Sequence, residues 1–265
     1  MFESFILGAV QGIAEWLPVS SEAMIVLVKS NFFPDNGDIT SYIQLAIFLH
    51  IGTLLAALVY FRKKIWKLLQ QFFSYSSQTK DVQDYLSFIV IATLVSGIIG
   101  YILLEVVKKY QAFFEQESLL NAIVAIFLFI TALLLYISEN RKNKEKVAVS
   151  KYSSYIVGIF QGCSAIPGIS RSGSTIAAMG LLGYEKVWAL EMSFILSIPL
   201  VFFANIILNY EMFMNITTNH LIAIASSFLF GILTISILLN VVKRIRFSYF
   251  VGFFALLVLT SSFFI

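Results

Sequence analysis

The chain has 265 residues, 59% of them hydrophobic and only 12% charged, with a mean hydropathy of +0.87, a balance that excludes an ordinary soluble domain and marks an integral membrane protein. A formal net charge of +3 is too small to argue for nucleic acid, and the basic residues sit in short runs beside apolar stretches, as membrane flanks do. The lone Cys163 excludes an internal disulfide or a cysteine metal cluster.

In chain order, the first apolar region is Phe2–Lys29. It has no basic segment before it and is interrupted early by Glu15, so a cleaved signal peptide is not expected. Windows near the ~20 residues needed to cross hydrocarbon follow at Tyr42–Phe61, Tyr85–Leu104 and Leu119–Ser138. A charged linker then separates them from a second apolar region, Tyr152–Tyr184, and from three more windows at Val187–Leu208, His220–Leu239 and Phe247–Ile265. The two regions outside these six spans are each broken by proline, serines and a charged residue, which a lipid-exposed helix could not carry cheaply. Both read as re-entrant helix-turn-helix pairs, because irregular backbone at membrane depth is tolerated only when packed in protein or lining a wet cavity.

The two breaks are related. Gly8-x-x-Gln11-Gly12-x7-Ser20 recurs as Gly158-x-x-Gln161-Gly162-x7-Ser170, offset by 150 residues, each with a proline just before the serine. Gln44-x5-His50-Ile51-Gly52 is echoed by Glu191-x5-Ser197-Ile198-Pro199. The expected architecture is therefore all-α, with two inverted-topology repeats in a single integral membrane domain, residues 1–265. Repeat one is 1–138, a cytoplasmic linker 139–151 and repeat two 152–265, each repeat carrying one re-entrant pair and three transmembrane helices. If both broken regions enter and leave on one side, fourteen basic residues fall on one face and three on the other, with Arg171 left inside the membrane. The basic face is then cytoplasmic and both termini lie outside. The hairpin tips would meet near the midplane, placing Glu15, Ser20 and Ser21 opposite Ser170, Arg171 and Ser172.

The stretch from Pro167 to Thr175 carries the expected chemistry. A helix beginning at Arg171 would aim unpaired N–H groups at the tip, where Gly173 lets an anion approach and Ser172, Ser174 and Thr175 add donors. Arginine supplies a planar fork matched to phosphate oxygens, so the stretch reads as a phosphate or pyrophosphate cradle; the alternative is an arginine that only pairs with Glu15 or Glu191 to hold the repeats together. Gln11 and Glu15, four apart, share one helix face. Glu15 could bind a divalent cation bridging a pyrophosphate, act as a base, or neutralise Arg171. Of the two serines, Ser20 fits an N-cap and Ser21 a nucleophile, but spacing alone does not separate them. His50 falls mid-span, Glu191 is expected to support the site from behind, and Trp16 and Trp188 read as interface anchors and packing.

These motifs resemble the undecaprenyl-diphosphatase family of membrane phosphatases, also known as the bacitracin-resistance (BacA/UppP) family. Gln11-Gly12-Ile13-Ala14-Glu15-Trp16-Leu17-Pro18-Val19-Ser20-Ser21 looks like its acidic element with the following Leu-Pro-Val-Ser-Ser, and Pro167–Thr175 looks like its Pro-Gly-x-Ser-Arg-Ser-Gly-x-Thr element. The resemblance covers essentially the whole chain. It implies removal of the terminal phosphate from a C55 isoprenyl diphosphate to recycle the carrier lipid of cell-wall synthesis, which confers resistance to bacitracin, a peptide that sequesters the substrate. It further implies dependence on Mg²⁺ or Ca²⁺, a plasma-membrane site open to the outer face, and homodimers. By resemblance Glu15, Ser21 and Arg171 are catalytic, Glu15 also holding the metal, while Gln11, Ser20, Gly168, Ser170, Ser172, Gly173, Ser174 and Thr175 bind substrate. Members of the bacterial type often place a histidine three residues after the second serine, where this chain has Met24. Either another group, with His50 and Glu15 as candidates, takes that role, or the chemistry is altered. Inverted repeats with broken helices are also the architecture of alternating access, so a flippase for a phosphorylated isoprenoid is the competing reading.

Overall fold

The computed structural model describes residues 1–33, 39–110, 117–141 and 148–261; positions 142–147 of the expected linker and 262–265 of the last expected span lie outside these. Among the described residues there is no strand. The helices are α1 (Phe2–Ala14), α2 (Ser21–Phe32), α3 (Ile39–Tyr60), α4 (Arg62–Phe73), α5 (Lys80–Lys109), α6 (Glu117–Asn140), α7 (Lys151–Gly162), α8 (Arg171–Leu181), α9 (Lys186–Leu208), α10 (Tyr210–Met214), α11 (Thr218–Val241) and α12 (Phe247–Ser261). Five of them, α3, α5, α6, α9 and α11, are long and apolar enough to cross a membrane, and α12 is a shorter apolar helix. The chain is a multi-pass membrane protein.

The broken regions form two helix pairs, α1 with α2 and α7 with α8. At 13, 12, 12 and 11 residues these helices reach only about 16–20 Å, short of the ~30 Å of hydrocarbon. Each pair closes on itself. Lys29 near the end of α2 donates to Glu3 near the start of α1 at 2.6 Å, and Tyr184 just beyond α8 donates to Ser153 near the start of α7 at 2.9 Å. Both second helices are started by serine: Ser20 accepts from the Ala23 N–H at 3.3 Å and Ser170 from the Gly173 N–H at 3.1 Å, satisfying donors that lack a partner within the helix. Gly168 turns the second break at φ +94°, where a Cβ would also stand 2.7 Å from Val124 Cα. Only glycine fits there.

The leading helix of each pair packs on a long helix from the other half, α1 on α11 and α7 on α5. Small residues four apart bring the backbones together, as in membrane helix contacts generally. A Cβ at Gly8 or Gly12 would lie 2.2 Å from the Ala223 carbonyl or 2.6 Å from the Ser227 carbonyl, and one at Gly158 or Gly162 would lie 2.8 Å from Val95 or 2.6 Å from Ile99. At one end of the bundle Glu139 organises three helices. Its carboxylate accepts from the Phe247 N–H at 2.8 Å and the Ser248 hydroxyl at 2.6 Å, capping α12, and pairs with Lys186 at the start of α9. Trp16, read as an interface anchor or packing residue, is 1% exposed and meets Phe194 edge-on at 4.7 Å; it is a packing residue. Helix α4 falls between the expected spans Tyr42–Phe61 and Tyr85–Leu104, where no helix is expected from the sequence.

Candidate functional site

The two breaks meet, and side chains of the second hold the backbone of the first. Ser170 donates to the Val19 carbonyl at 3.1 Å and Ser172 to the Leu17 carbonyl at 2.6 Å. Both carbonyls belong to the non-helical stretch between α1 and α2, where side chains can stand in for helix donors. The juxtaposition carries Arg171, the first residue of α8, onto Glu15, which follows α1. The guanidinium Nη2 donates to Glu15 Oε1, and Nη1 donates to the Ser193 carbonyl of α9 at 3.3 Å.

Glu15 is saturated. Its second oxygen accepts from Ser21 Oγ at 2.7 Å and Gln11 Nε2 at 3.1 Å, and lies 2.9 Å from His50 Nε2. His50 is fixed in turn through Nδ1, 2.6 Å from the Ala46 carbonyl one turn back on α3. Glu15 and His50 are 5% and 8% exposed, so the carboxylate sits where water competes little and each contact counts for more than on a surface. Ser20 and Ser21 divide their work by geometry: Ser20 faces the α2 backbone as its cap, while Ser21 faces the carboxylate.

A cavity of about 220 Å³ opens at this cluster. Glu15, Ser20, Ser21, Glu22, His50, Arg171 and Ser172 line its polar end; beyond them run Gly97, Gly100, Tyr101 and Leu104 of α5 and Leu200, Phe203, Ala204 and Ile207 of α9. The α5 residues recur every three or four positions, one face of that helix, and Tyr101, Phe203 and Ile207 are exposed, so the groove opens sideways. The remaining expected site residues lie behind the wall. Ser170 caps α8, Thr175 bonds the Arg171 carbonyl at 2.9 Å and the Ser193 hydroxyl at 2.5 Å, and Gln11 reaches the cavity only through Glu15. Gly173 and Ser174 are buried within α8 and Gly168 in the turn before it. Glu191 does not stand behind the site: it pairs with Lys64 of α4 at 2.9 Å at the bundle end. Ser193 was not read from the sequence, nor was the contact of His50 with Glu15.

Any divalent ion would need hard oxygen donors here. Among the described residues no three His, Cys, Asp or Glu side chains cluster as a cage. The cavity does hold the carboxylates of Glu15 and Glu22, and the buried Gln11 Oε1 beside Glu15 has no hydrogen-bond partner among the described residues. That donor set suits an ion shared with phosphate oxygens rather than one held by protein alone.

Comparison with known proteins points the same way along nearly the whole chain. The family model described as bacitracin resistance protein BacA matches residues 4–260. An undecaprenyl-diphosphatase of Methanococcoides burtonii is 38% identical over 262 residues, covering 97% of each chain. One from Treponema denticola is 35% identical, covering 94% of this chain and 92% of its own, and one from Christiangramia forsetii is 31% identical, covering 94% and 92%. Taken with the two breaks and the polar residues they bring together, these matches show that the chain belongs to the bacitracin resistance protein BacA family.

Proposed function

We propose that this chain is an isoprenyl-diphosphate phosphatase that hydrolyses undecaprenyl diphosphate to the monophosphate and inorganic phosphate. The observation that carries the reading is the pairing of Arg171 with Glu15 at the polar end of a groove whose outer part, from Tyr101 and Leu104 to Phe203 and Ile207, is mostly apolar and open to the side. A diphosphate on a long hydrocarbon has that same division.

Arg171 binds the phosphate oxygens by its fork, and the N–H groups of Arg171 and Ser172, ahead of the Gly173 N–H that Ser170 caps, are the helix donors left for them. The Glu15 carboxylate pairs with the guanidinium, so substrate binding would exchange one anionic partner of Arg171 for another and leave neither group bare. Glu15 also accepts from Ser21, and can take its proton as the oxygen attacks the terminal phosphorus and the bridging oxygen leaves with the monophosphate, a water then releasing phosphate from the serine; or it can take a proton from a water that attacks in that place and expels the monophosphate directly. His50 holds the carboxylate from the far side and retains a charge partner for it when Arg171 turns to phosphate. Mg²⁺ or Ca²⁺, when bound, supplies charge neutralisation on the diphosphate, and Glu15 and Glu22, the two carboxylates lining the cavity, would hold it. Glu15 has to loosen at least one of its present contacts to do so.

The two halves act in this reading as inverted repeats of one domain. The short closed pairs are re-entrant, entering from opposite faces, which puts the basic ends in the cytoplasm and the groove toward the outer face. Release of monophosphate there returns carrier lipid to cell-wall synthesis and removes the diphosphate that bacitracin sequesters, the origin of resistance; a homodimer is compatible with the long exposed helix faces. Purified protein is expected to release phosphate from undecaprenyl or farnesyl diphosphate when supplied with Mg²⁺ or Ca²⁺. Transfer of labelled lipid across liposomes with no phosphate released would select the flippase reading instead.

The groove makes a separate prediction. Gly8, Gly12, Gly52, Gly158 and Gly162 serve close helix contacts, yet a Cβ at Gly97 meets nothing within 4 Å, although glycine in a helix costs about 1 kcal/mol relative to alanine. That cost keeps the groove open for the branched tail. Gly97→Phe should fold normally and cut kcat/KM for undecaprenyl diphosphate about tenfold, the scale of overpacking a filled site. A five-carbon isoprenyl diphosphate, whose tail ends near the headgroup, should be turned over almost as before.

A further inference from the structure

Helix α4 lies outside the site and its surface is arranged for a different partner. Its junction with α3 is tight: Phe61, 6% exposed, is buried in the core between the last residue of α3 and the first of α4, so α4 starts where a membrane-crossing helix ends. No residue of α4 is fully buried. Ile65 packs against the core, and Lys64 fastens the helix by its ion pair to Glu191 of α9 and its position 5.9 Å over the Tyr85 ring of α5. The helix is thus fastened to the end of the bundle.

The rest of its surface divides by chemistry. Trp66, Leu69, Phe72 and Phe73 follow one helical stripe and are 65%, 45%, 50% and 85% exposed. Lys63, Lys67 and Gln70 follow the opposite stripe and are also exposed, and neither Lys63 nor Lys67 has an ion-pair partner among the described residues. In water such an apolar patch would be a liability. At the boundary of a bilayer, an aromatic face sinks among the acyl chains while lysines remain with the headgroups.

We propose that α4 is an interfacial helix that binds anionic phospholipid headgroups at the membrane surface where α3 ends and α5 begins. The partner follows from three features: both flanking helices are long and apolar enough to cross a bilayer, the exposed aromatic stripe suits acyl chains, and the two lysines without an ion-pair partner among the described residues suit negative headgroups. This inference does not depend on the phosphatase reading.

The test uses the full-length protein in vesicles of phosphatidylcholine alone or mixed with phosphatidylglycerol, each with bromines at shallow or deep acyl positions. The Trp66 signal is taken as the difference between parent and Trp66→Phe. Shallow bromines should quench it more than deep ones, and anionic lipid should raise that quenching about twofold or more, an enhancement lost with added salt and in Lys63→Gln/Lys67→Gln. If Trp66 is instead quenched by aqueous iodide and untouched by brominated lipid, the helix faces water and the proposal fails. Quenching that is equal in both lipid mixtures, or unchanged in the double-lysine variant, would remove the anionic recognition and overturn it as stated. Because the readout is optical, loss of phosphatase activity in any variant has no bearing on it.

Discussion

Arg171→Ala is expected to lower phosphate release by about 10³-fold or more, the scale seen when a guanidinium that stabilises a transferring phosphoryl group is removed. The geometry adds a second effect that must be separated from the first. Glu15 is 5% exposed and keeps only His50 as a charge partner once Arg171 is gone. Breaking one side of a buried pair costs about 3–5 kcal/mol because the other charge is left uncompensated. A single variant that melts early and is inactive would therefore prove little. Arg171→Ala combined with Glu15→Gln removes both charges, and it should recover much of the thermal stability while remaining inactive. Arg171→Lys keeps the charge but not the fork, and offers one nitrogen where Nη2 and Nη1 separately reach Glu15 and the Ser193 carbonyl. It should fall between parent and alanine in single-turnover rate. Parent-like rates in folded Arg171→Ala protein would remove Arg171 from the chemistry altogether.

Much of this was legible in the chain because membranes penalise polarity so steeply. Prolines, serines and charges inside otherwise apolar segments have few permitted explanations, so the two breaks could be located, and their repeated Gly-x-x-Gln-Gly spacing pointed to a common site. What escaped depended on partners distant in sequence. His50 looks the same in sequence whether it packs or touches a carboxylate, and its place beside Glu15 follows only from how α3 lies against the first break. Ser193 contributes a backbone carbonyl, which no residue type advertises. The hydroxyls of Ser170 and Thr175 read as donors for a ligand, while their nearest partners are backbone and Ser193. Helix α4 was hidden because a window wide enough to find a span averages four basic residues with the aromatics between them. Its signal is a short period of 3.6 rather than a long apolar run.

The position of Met24 gains a physical meaning from the same contacts. It is half-buried on α2 and does not line the cavity, whereas His50 approaches Glu15 from α3. An imidazole thus reaches the carboxylate from α3 rather than from position 24. One consequence is that removing His50 should resemble a loss of positioning more than a loss of substrate binding. Glu15 would keep Ser21, Gln11 and Arg171 but lose the partner that holds it when phosphate occupies the guanidinium.

Ser21→Ala should decide how the phosphorus is attacked, and the local structure makes it a clean substitution. The cap of α2 belongs to Ser20, so alanine at position 21 leaves the helix start intact, and the group lost is one donor, 2.7 Å from Glu15. If Ser21 Oγ forms the bond to phosphorus, the variant should lose on the order of 10⁴-fold or more in kcat, as nucleophile deletions do. Rapid quenching of the parent with terminally labelled diphosphate should then trap label on protein, and the variant should trap none. If Ser21 only orients Glu15 toward a water, the loss should be nearer the ~1–3 kcal/mol of one buried hydrogen bond, roughly 10- to 100-fold, with no label on either protein. The first outcome is the one expected. Ser21 Oγ already shares an oxygen of Glu15 with His50, so the base that would take its proton is in contact before substrate arrives. A water would have to enter between groups that are already bonded to one another.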